Sequence, residues 1–398
     1  MWTIIFFVLF LMICWCVVDF VVGRRFFIAN VVQRKYPTRY SDIELIASGP
    51  DVFRSIFKDI REAKSSIHIL FYIVQNDHLG HRFLELLEQK AKEGVEVRLL
   101  VDRIGSYAVP KDRLKRLKEA GGEFYFSQKP KPPFFFFSLQ QRNHRKVTII
   151  DGQVGYLGGY NVGKEYIDED PKLSPWRDYH MRIVGEGTQD LQKEFLLDWE
   201  RASKIDLCQN QKYFPLLHKG KSKHQFVPTD GVKIEQTFTD LIDSAEEKII
   251  IGTPYFIPSK NVFTALRDAL SRGVELSILV PQQSDHLLVK EASFTYFRTL
   301  IKEGAKVHQF QEGFFHAKVM MIDDKVCDIG TANFDKRSFF LNFEMNNLLF
   351  DPVFIKIVEA QIQRDLQAST LMDLEKLHAV GFTTRIKEQI AGVISILL

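Results

Sequence analysis

The chain has 398 residues, 45% hydrophobic and 26% charged, which excludes a disordered or fibrous protein and provides for about two folded units at roughly 100–200 residues each. Lys and Arg total 53 against 50 Asp and Glu, a net charge of +3, too even a balance for the basic stripe of a nucleic-acid binder. The four cysteines, two of them in an apolar N-terminal run, provide no disulfide framework, and Cys208 and Cys327 stand alone without metal-ligand spacing.

From Trp2 to Val18 no residue is charged, and after Asp19 the apolar run resumes with Phe20, Val21 and Val22. A hydrocarbon core of roughly 30 Å takes about 20 apolar residues to cross, which this run supplies if Asp19 lies near the headgroups. A cleaved signal peptide would carry basic residues before the apolar core and an A-x-A-like site after it, and neither is present. Residues 1–23 are therefore expected to be a transmembrane anchor, followed by a basic juxtamembrane linker over 24–44. Arg24, Arg25, Arg34, Lys35 and Arg39 follow the run. They predict a single-pass protein of the cell membrane with its long C-terminal part on the cytoplasmic face.

The rest of the chain repeats itself. Residues 83–101, FLELLEQKAKEGVEVRLLV, match residues 262–280, VFTALRDALSRGVELSILV. Each is a helix-period run, a Gly stop and a β-branched strand. A further apolar strand precedes each, over Ile67–Val74 and Ile249–Ile257. The alternation predicts an α/β sandwich of two repeats, over 45–205 and 225–398, the second ending in C-terminal helices. The polar and basic stretch at 206–224 is the expected linker.

One constellation recurs at a displacement of 172 residues. His144, Lys146, Asp151, Gly158 and Asn161 in the first repeat match His316, Lys318, Asp323, Gly330 and Asn333 in the second. On a strand, i and i+2 share a face, so each His projects with its Lys. Two imidazoles, two ammonium groups and two Asn amides suit a phosphate: lysines neutralise its oxygens, one imidazole attacks phosphorus and the other moves the proton. The Gly residues let backbone approach the anion. Metal binding by the histidines is disfavoured because neighbouring ammonium groups repel a cation. Asp151 and Asp323 are candidate catalytic carboxylates, although the five-residue step from Lys turns them off its face, and fixing the Asp151-Gly152 and Asp323-Asp324 turns is the alternative.

The duplicated pattern H-x-K-x4-D-x6-G-x-x-N resembles the phospholipase D superfamily. The segments PWRDYHMRIVG and FHAKVMMIDDKVCDIGTANFDKRSFFLNFE narrow the resemblance to bacterial cardiolipin synthases. It implies two phospholipase D-like repeats meeting at one active site. It implies too a phosphohistidine intermediate formed without metal or other cofactor. The implied reaction makes cardiolipin and glycerol from two phosphatidylglycerol molecules, so the partners are membrane phospholipids and not nucleic acid. By this analogy His144 is the nucleophile and His316 the acid/base. The family also provides each histidine with a carboxylate, which places Asp178 and Glu344, 34 and 28 residues after their histidines, as histidine-orienting groups. Hydrolysis of phospholipids and non-catalytic lipid binding are the alternatives. The chain departs from the pattern in having one apolar segment where many members have two, and Thr331 where Ser is common.

The stretch Gln128 to Phe137, QKPKPPFFFF, accounts for most of the excess length ahead of His144 relative to His316. Three prolines predict a loop beside the site. Its Phe side chains are expected at the lipid surface, or else folded back as a cap on the domain.

Overall fold

A computed structural model describes all 398 residues, Met1 to Leu398. One continuous sheet runs through both repeats, and its strand order reads the same from either end apart from one added edge strand. The first half goes from the edge strand Glu123–Ser127 through Glu96–Asp102, Ser66–Phe71, Val147–Ile150, Val154–Gly158 and Trp176–Gly185 to Arg39–Ser48. The second half mirrors it from Ser222–Asp230 through Phe343–Leu349, Val326–Gly330, Val319–Ile322, Lys248–Gly252 and Glu275–Pro281 to Lys306–Phe310, with Ser369–Leu371 added at the edge. The halves join where Arg39–Ser41 pairs antiparallel with Ser222–His224. An internal two-fold relates the repeats across that pair.

The expected boundaries shift accordingly. The first strand begins at Arg39, so the stretch read as a basic linker is divided between the end of the N-terminal helix and the sheet. The linker expected at 206–224 is packed: Tyr213 is buried and accepts a 2.7 Å hydrogen bond from Arg98, and the next strand already starts at Ser222. The strand expected over Ile249–Ile257 breaks into Lys248–Gly252 and Phe256–Ile257. Pro254 lacks the N–H that a ladder needs, and the break turns Tyr255 into the cavity described below.

The repeated helices form as the pattern implies. Asp77 and Ser259 accept hydrogen bonds from Gly80 and Val262 and so cap His78–Lys92 and Lys260–Ser271. Their apolar faces cover the sheet in two outer cores, one per repeat. A third core lies between the repeats and mixes Leu70, Leu100 and Met181 with Ile250, Val319 and Met345. Because the two halves share it, the geometry between them is fixed by close packing.

The N-terminal helix runs from Trp2 to Asn30, 29 residues, and is long and apolar enough to cross a membrane. Its first turns are exposed on all sides. Asp19, expected near the headgroups, is instead buried and accepts a 2.8 Å hydrogen bond from the Phe137 N–H. The polyphenylalanine stretch, expected as a loop, forms a short helix over Phe135–Gln140, because its prolines end at Pro133. Phe134, Phe136 and Phe137 pack on Phe20, Phe26 and Phe27 of the long helix. Only Phe135 of the four is exposed. The cluster chiefly grips the anchor helix; it does not present four rings to lipid.

Candidate active site

Each catalytic-motif histidine stands just ahead of a buried strand, and the backbone leading to it pairs with the other repeat. His144 N–H donates to Phe343 O at 2.9 Å, and Phe343 N–H donates to Arg142 O at 2.8 Å. Likewise Phe314–Phe315 runs parallel to Trp176–Arg177, and His316 N–H donates to Arg177 O at 2.7 Å. The residue after each acceptor is a carboxylate. Glu344 meets His144 Nδ1 at 3.0 and 3.1 Å, and Asp178 meets His316 Nδ1 at 2.6 Å.

The pairing expected within each repeat is thus crossed: Asp178 serves His316 and Glu344 serves His144. The cause is the register between repeats. The final strand of each half docks beside the histidine of the other. Arg177, the neighbour of Asp178 in sequence, pairs with Asp365.

The carboxylates are themselves held. Glu344 accepts from Thr331 Oγ1 at 2.6 Å, Ser338 Oγ at 2.9 Å and Asn342 Nδ2 at 3.2 Å. Thr331 thus keeps the hydroxyl contact that a Ser there would make. Asp178 accepts from Tyr179 N–H at 2.7 Å and lies 3.7 Å from the Lys318 ammonium. With the Nδ1 proton given to Asp178, Lys318 donates to the His316 carbonyl. Lys146 makes the same bond to the His144 carbonyl, at 2.7 Å. Both lysines are buried.

Burial governs the titration. It pushes His144 down to about 4 and His316 well below its ordinary value. It also lowers Lys318 to about 8 and Lys146 far below the usual lysine value. Burial raises Asp178, and would raise Glu344 too, but His144 and Lys146 hold Glu344 below the ordinary range. With Nδ1 of each ring engaged, Nε2 is the nitrogen left for chemistry.

His144 and His316 line one cavity of about 810 Å³, together with Asn161 and Asn333. Tyr72 packs edge-on to His144 and Trp176 against His316, each at 4.9 Å between ring centroids. Asn161 is held by Ile73 N–H and Tyr166 Oη, whereas Asn333 keeps a buried Oδ1 with no partner.

Four other expectations are corrected. Asp151 accepts from the backbone of Lys64, Ser65 and Ser66, and Asp323 from Glu246, Glu247 and Lys248, so both clamp the far end of the hairpin and neither faces a histidine. Both take positive φ there, a conformation that Asp tolerates better than most residues. Gly158 and Gly330 are not part of the cavity wall. A Cβ on Gly158 would strike the backbone of Tyr179 and His180, and one on Gly330 would strike Asn346, so these glycines let adjacent strands close.

The wall also holds Arg142, Arg337, Tyr255 and Asp285, which the self-comparison of the sequence does not reveal. Asp285 accepts from Tyr255 Oη at 2.5 Å and leaves its other oxygen buried without a partner. The preceding strands Glu96–Asp102 and Glu275–Pro281 match at a displacement of 179 residues, which sets Asp285 opposite Ser106, so no duplicated carboxylate marks it.

A two-repeat α/β sheet with paired His–carboxylate couples at its two-fold defines a phospholipase D-like enzyme. The family described as cardiolipin synthase, phospholipase D-like domain, matches residues 56–199 and 238–366. The chain is 40% identical over 396 residues to the minor cardiolipin synthase of Bacillus subtilis, covering 100% of this chain and 98% of that protein. It is 38% identical to the major cardiolipin synthase of the same organism (91% and 76% covered) and 37% to cardiolipin synthase 1 of Staphylococcus epidermidis (96% and 79%). The crystal structure of phosphatidylserine synthase from Haemophilus influenzae superposes with a TM-score of 0.72 at 16% identity, over 91% of this chain and 97% of that one, a likeness of fold. The chain belongs to the cardiolipin synthase family, membrane-associated enzymes of phospholipid biosynthesis.

Proposed function

We propose that the enzyme transfers a phosphatidyl group from one phosphatidylglycerol to another through a phosphohistidine. The observation that carries this is the pair of crossed His–carboxylate couples opening on one cavity whose wall continues into the helix that grips the membrane anchor: Leu139 and Gln140 line the cavity, and Phe136 and Phe137 hold the anchor. A lipid phosphate reaching the histidines from there keeps its chains in the bilayer.

His144 Nε2 attacks the donor phosphorus as the bond to glycerol breaks, and His316 gives the departing oxygen its proton. The terminal hydroxyl of the second phosphatidylglycerol then returns a proton to His316 and attacks phosphorus. The P–N bond breaks, leaving cardiolipin and free His144. Glu344 and Asp178 hold the Nδ1 protons throughout and stabilise each imidazolium as it forms. Asn161 and Asn333 offer amides to the phosphate oxygens. No step calls for a metal, and the two ammonium groups disfavour one, so EDTA is expected to leave turnover unchanged. The basic residues after the apolar run support a cytoplasmic active site.

Purified protein given phosphatidylglycerol labelled in its headgroup should release glycerol and form cardiolipin. Phosphatidic acid as the sole lipid product would instead mean hydrolysis. Acid quench during turnover should trap phosphate on the peptide containing His144; a label on the His316 peptide alone would reverse the two roles.

A further inference from the structure

The reacting groups obey the internal two-fold, but the cavity walls do not. Arg337 corresponds to Glu165 in the first repeat, and Arg142 to Phe314 in the second. Both cavity arginines therefore arise without a symmetry mate. They lie together: Arg337 Nη2 donates to Gln140 O at 2.9 Å, two residues from Arg142, and both line the cavity with Tyr72, which packs on His144. Toward His316, by contrast, stand Tyr255 and the half-unpartnered Asp285.

The two arginines differ in what satisfies them. Arg142 is neutralised by buried Asp102 at 2.9 Å. Arg337 binds only uncharged oxygens, at Gln140 O, Leu397 O and, at 3.5 Å, Gln140 Oε1. Asp335 and Asp102 act on it only from beyond ion-pair distance, and holding a cation out of water without a close counter-charge is costly; burial does lower its proton affinity. Such a group on a cavity wall awaits an anion from outside.

The phosphatidyl-transfer reading, on which this inference rests, requires one. The donor phosphate occupies the histidines. The acceptor brings a second phosphate diester, one glycerol away from the hydroxyl that attacks. The Asp285 wall repels that charge and the Arg337 wall attracts it. We propose that Arg337 binds the phosphate of the acceptor phospholipid and thereby selects an anionic lipid acceptor over glycerol or water. A guanidinium suits this task because its planar fork meets two phosphate oxygens at once.

The test compares two reactions of the same phosphohistidine. Labelled free glycerol, which has no phosphate, exchanges into phosphatidylglycerol; a second phosphatidylglycerol gives cardiolipin. Wild-type protein, Arg337→Gln and Arg337→Lys are assayed for both in phosphatidylglycerol vesicles, with melting temperatures measured alongside. In Arg337→Gln, cardiolipin formation should fall roughly 30-fold or more, as loss of a charged hydrogen bond implies, while glycerol exchange falls far less. Arg337→Lys should lie between. Equal losses in both reactions, or an unchanged ratio, would overturn the assignment and leave Arg337 as a brace for Gln140 and Leu397. If wild-type protein exchanges glycerol but forms no cardiolipin, the transfer reading itself fails.

Discussion

A carboxylate on the far nitrogen of an imidazole decides which tautomer the ring holds and how well it bears a positive charge. In this site each such carboxylate comes from the opposite repeat, because Phe343 and Arg177 receive the backbone N–H of His144 and His316. Glu344→Gln and Asp178→Asn keep the shape and remove the charge. Each should lower kcat by roughly a thousandfold or more in protein whose circular dichroism is native; a loss under tenfold in either would mean that its histidine does not need the partner. Asp151→Ala provides the contrast. It leaves three backbone N–H groups without their acceptor and should cost about 1–3 kcal/mol of stability, with turnover per folded molecule retained. Residue identity and spacing were enough to single out both histidines, whereas Asp178 and Glu344 came only from the family resemblance. The crossed pairing was not legible, since the register between two repeats is a tertiary fact that no local spacing encodes. The duplication itself misled at Gly158 and Gly330, where repetition reflects shared strand packing and not shared ligand contact.

Helices and strands were legible wherever one periodicity held. The matched runs 83–101 and 262–280 became helix-then-strand in both halves. The reading faltered where elements meet. Arg39–Ser48 carries charged residues suited to a linker, yet it pairs on both sides in the middle of the sheet. The polyphenylalanine segment looked like a lipid-facing loop because of its prolines, and because its partners were divided between a membrane anchor (Phe20) and an expected linker (Phe26 and Phe27). Asp19, expected among headgroups, was the misplaced signal: a carboxylate in an apolar run requires a donor, and Phe137 N–H provides it. The two ends of the cluster should therefore behave differently. Phe137→Ala removes a buried ring that contacts Phe20 and Phe27 and should destabilise by about 3 kcal/mol. Phe135→Ser alters an exposed ring and should leave the melting temperature in detergent within a degree or two. Equal shifts would mean that the segment does not grip the anchor as described.

At the scale of the molecule, the sheet halves, the shared core and the crossed couples together bury four ionisable groups of the motif around one point. That burial sets the pH range in which the enzyme works. A histidine buried without enough negative charge loses its proton more readily than in water, so His144, pushed down to about 4, stays neutral, as the proposed nucleophile must be, at pH values where an exposed histidine would be protonated. A buried lysine is likewise deprotonated early. Lys318, near 8, carries its charge below that pH and loses it above. With it goes the cation that counters Asp178 and strengthens the local field for phosphate. For the free enzyme, kcat/KM should accordingly fall on the acid side as His144 takes a proton, and on the alkaline side first as His316, the proposed acid, loses its proton below the ordinary histidine range and then further above about pH 8 as Lys318 gives one up. The apparent values belong to the coupled set and not to either residue alone. Measuring kcat/KM against pH on vesicles of constant composition checks this. An acid limb near 6.5, the value of an ordinary exposed histidine, would show that the working site is far wetter than the closed packing around Tyr72, Trp176 and the shared core implies.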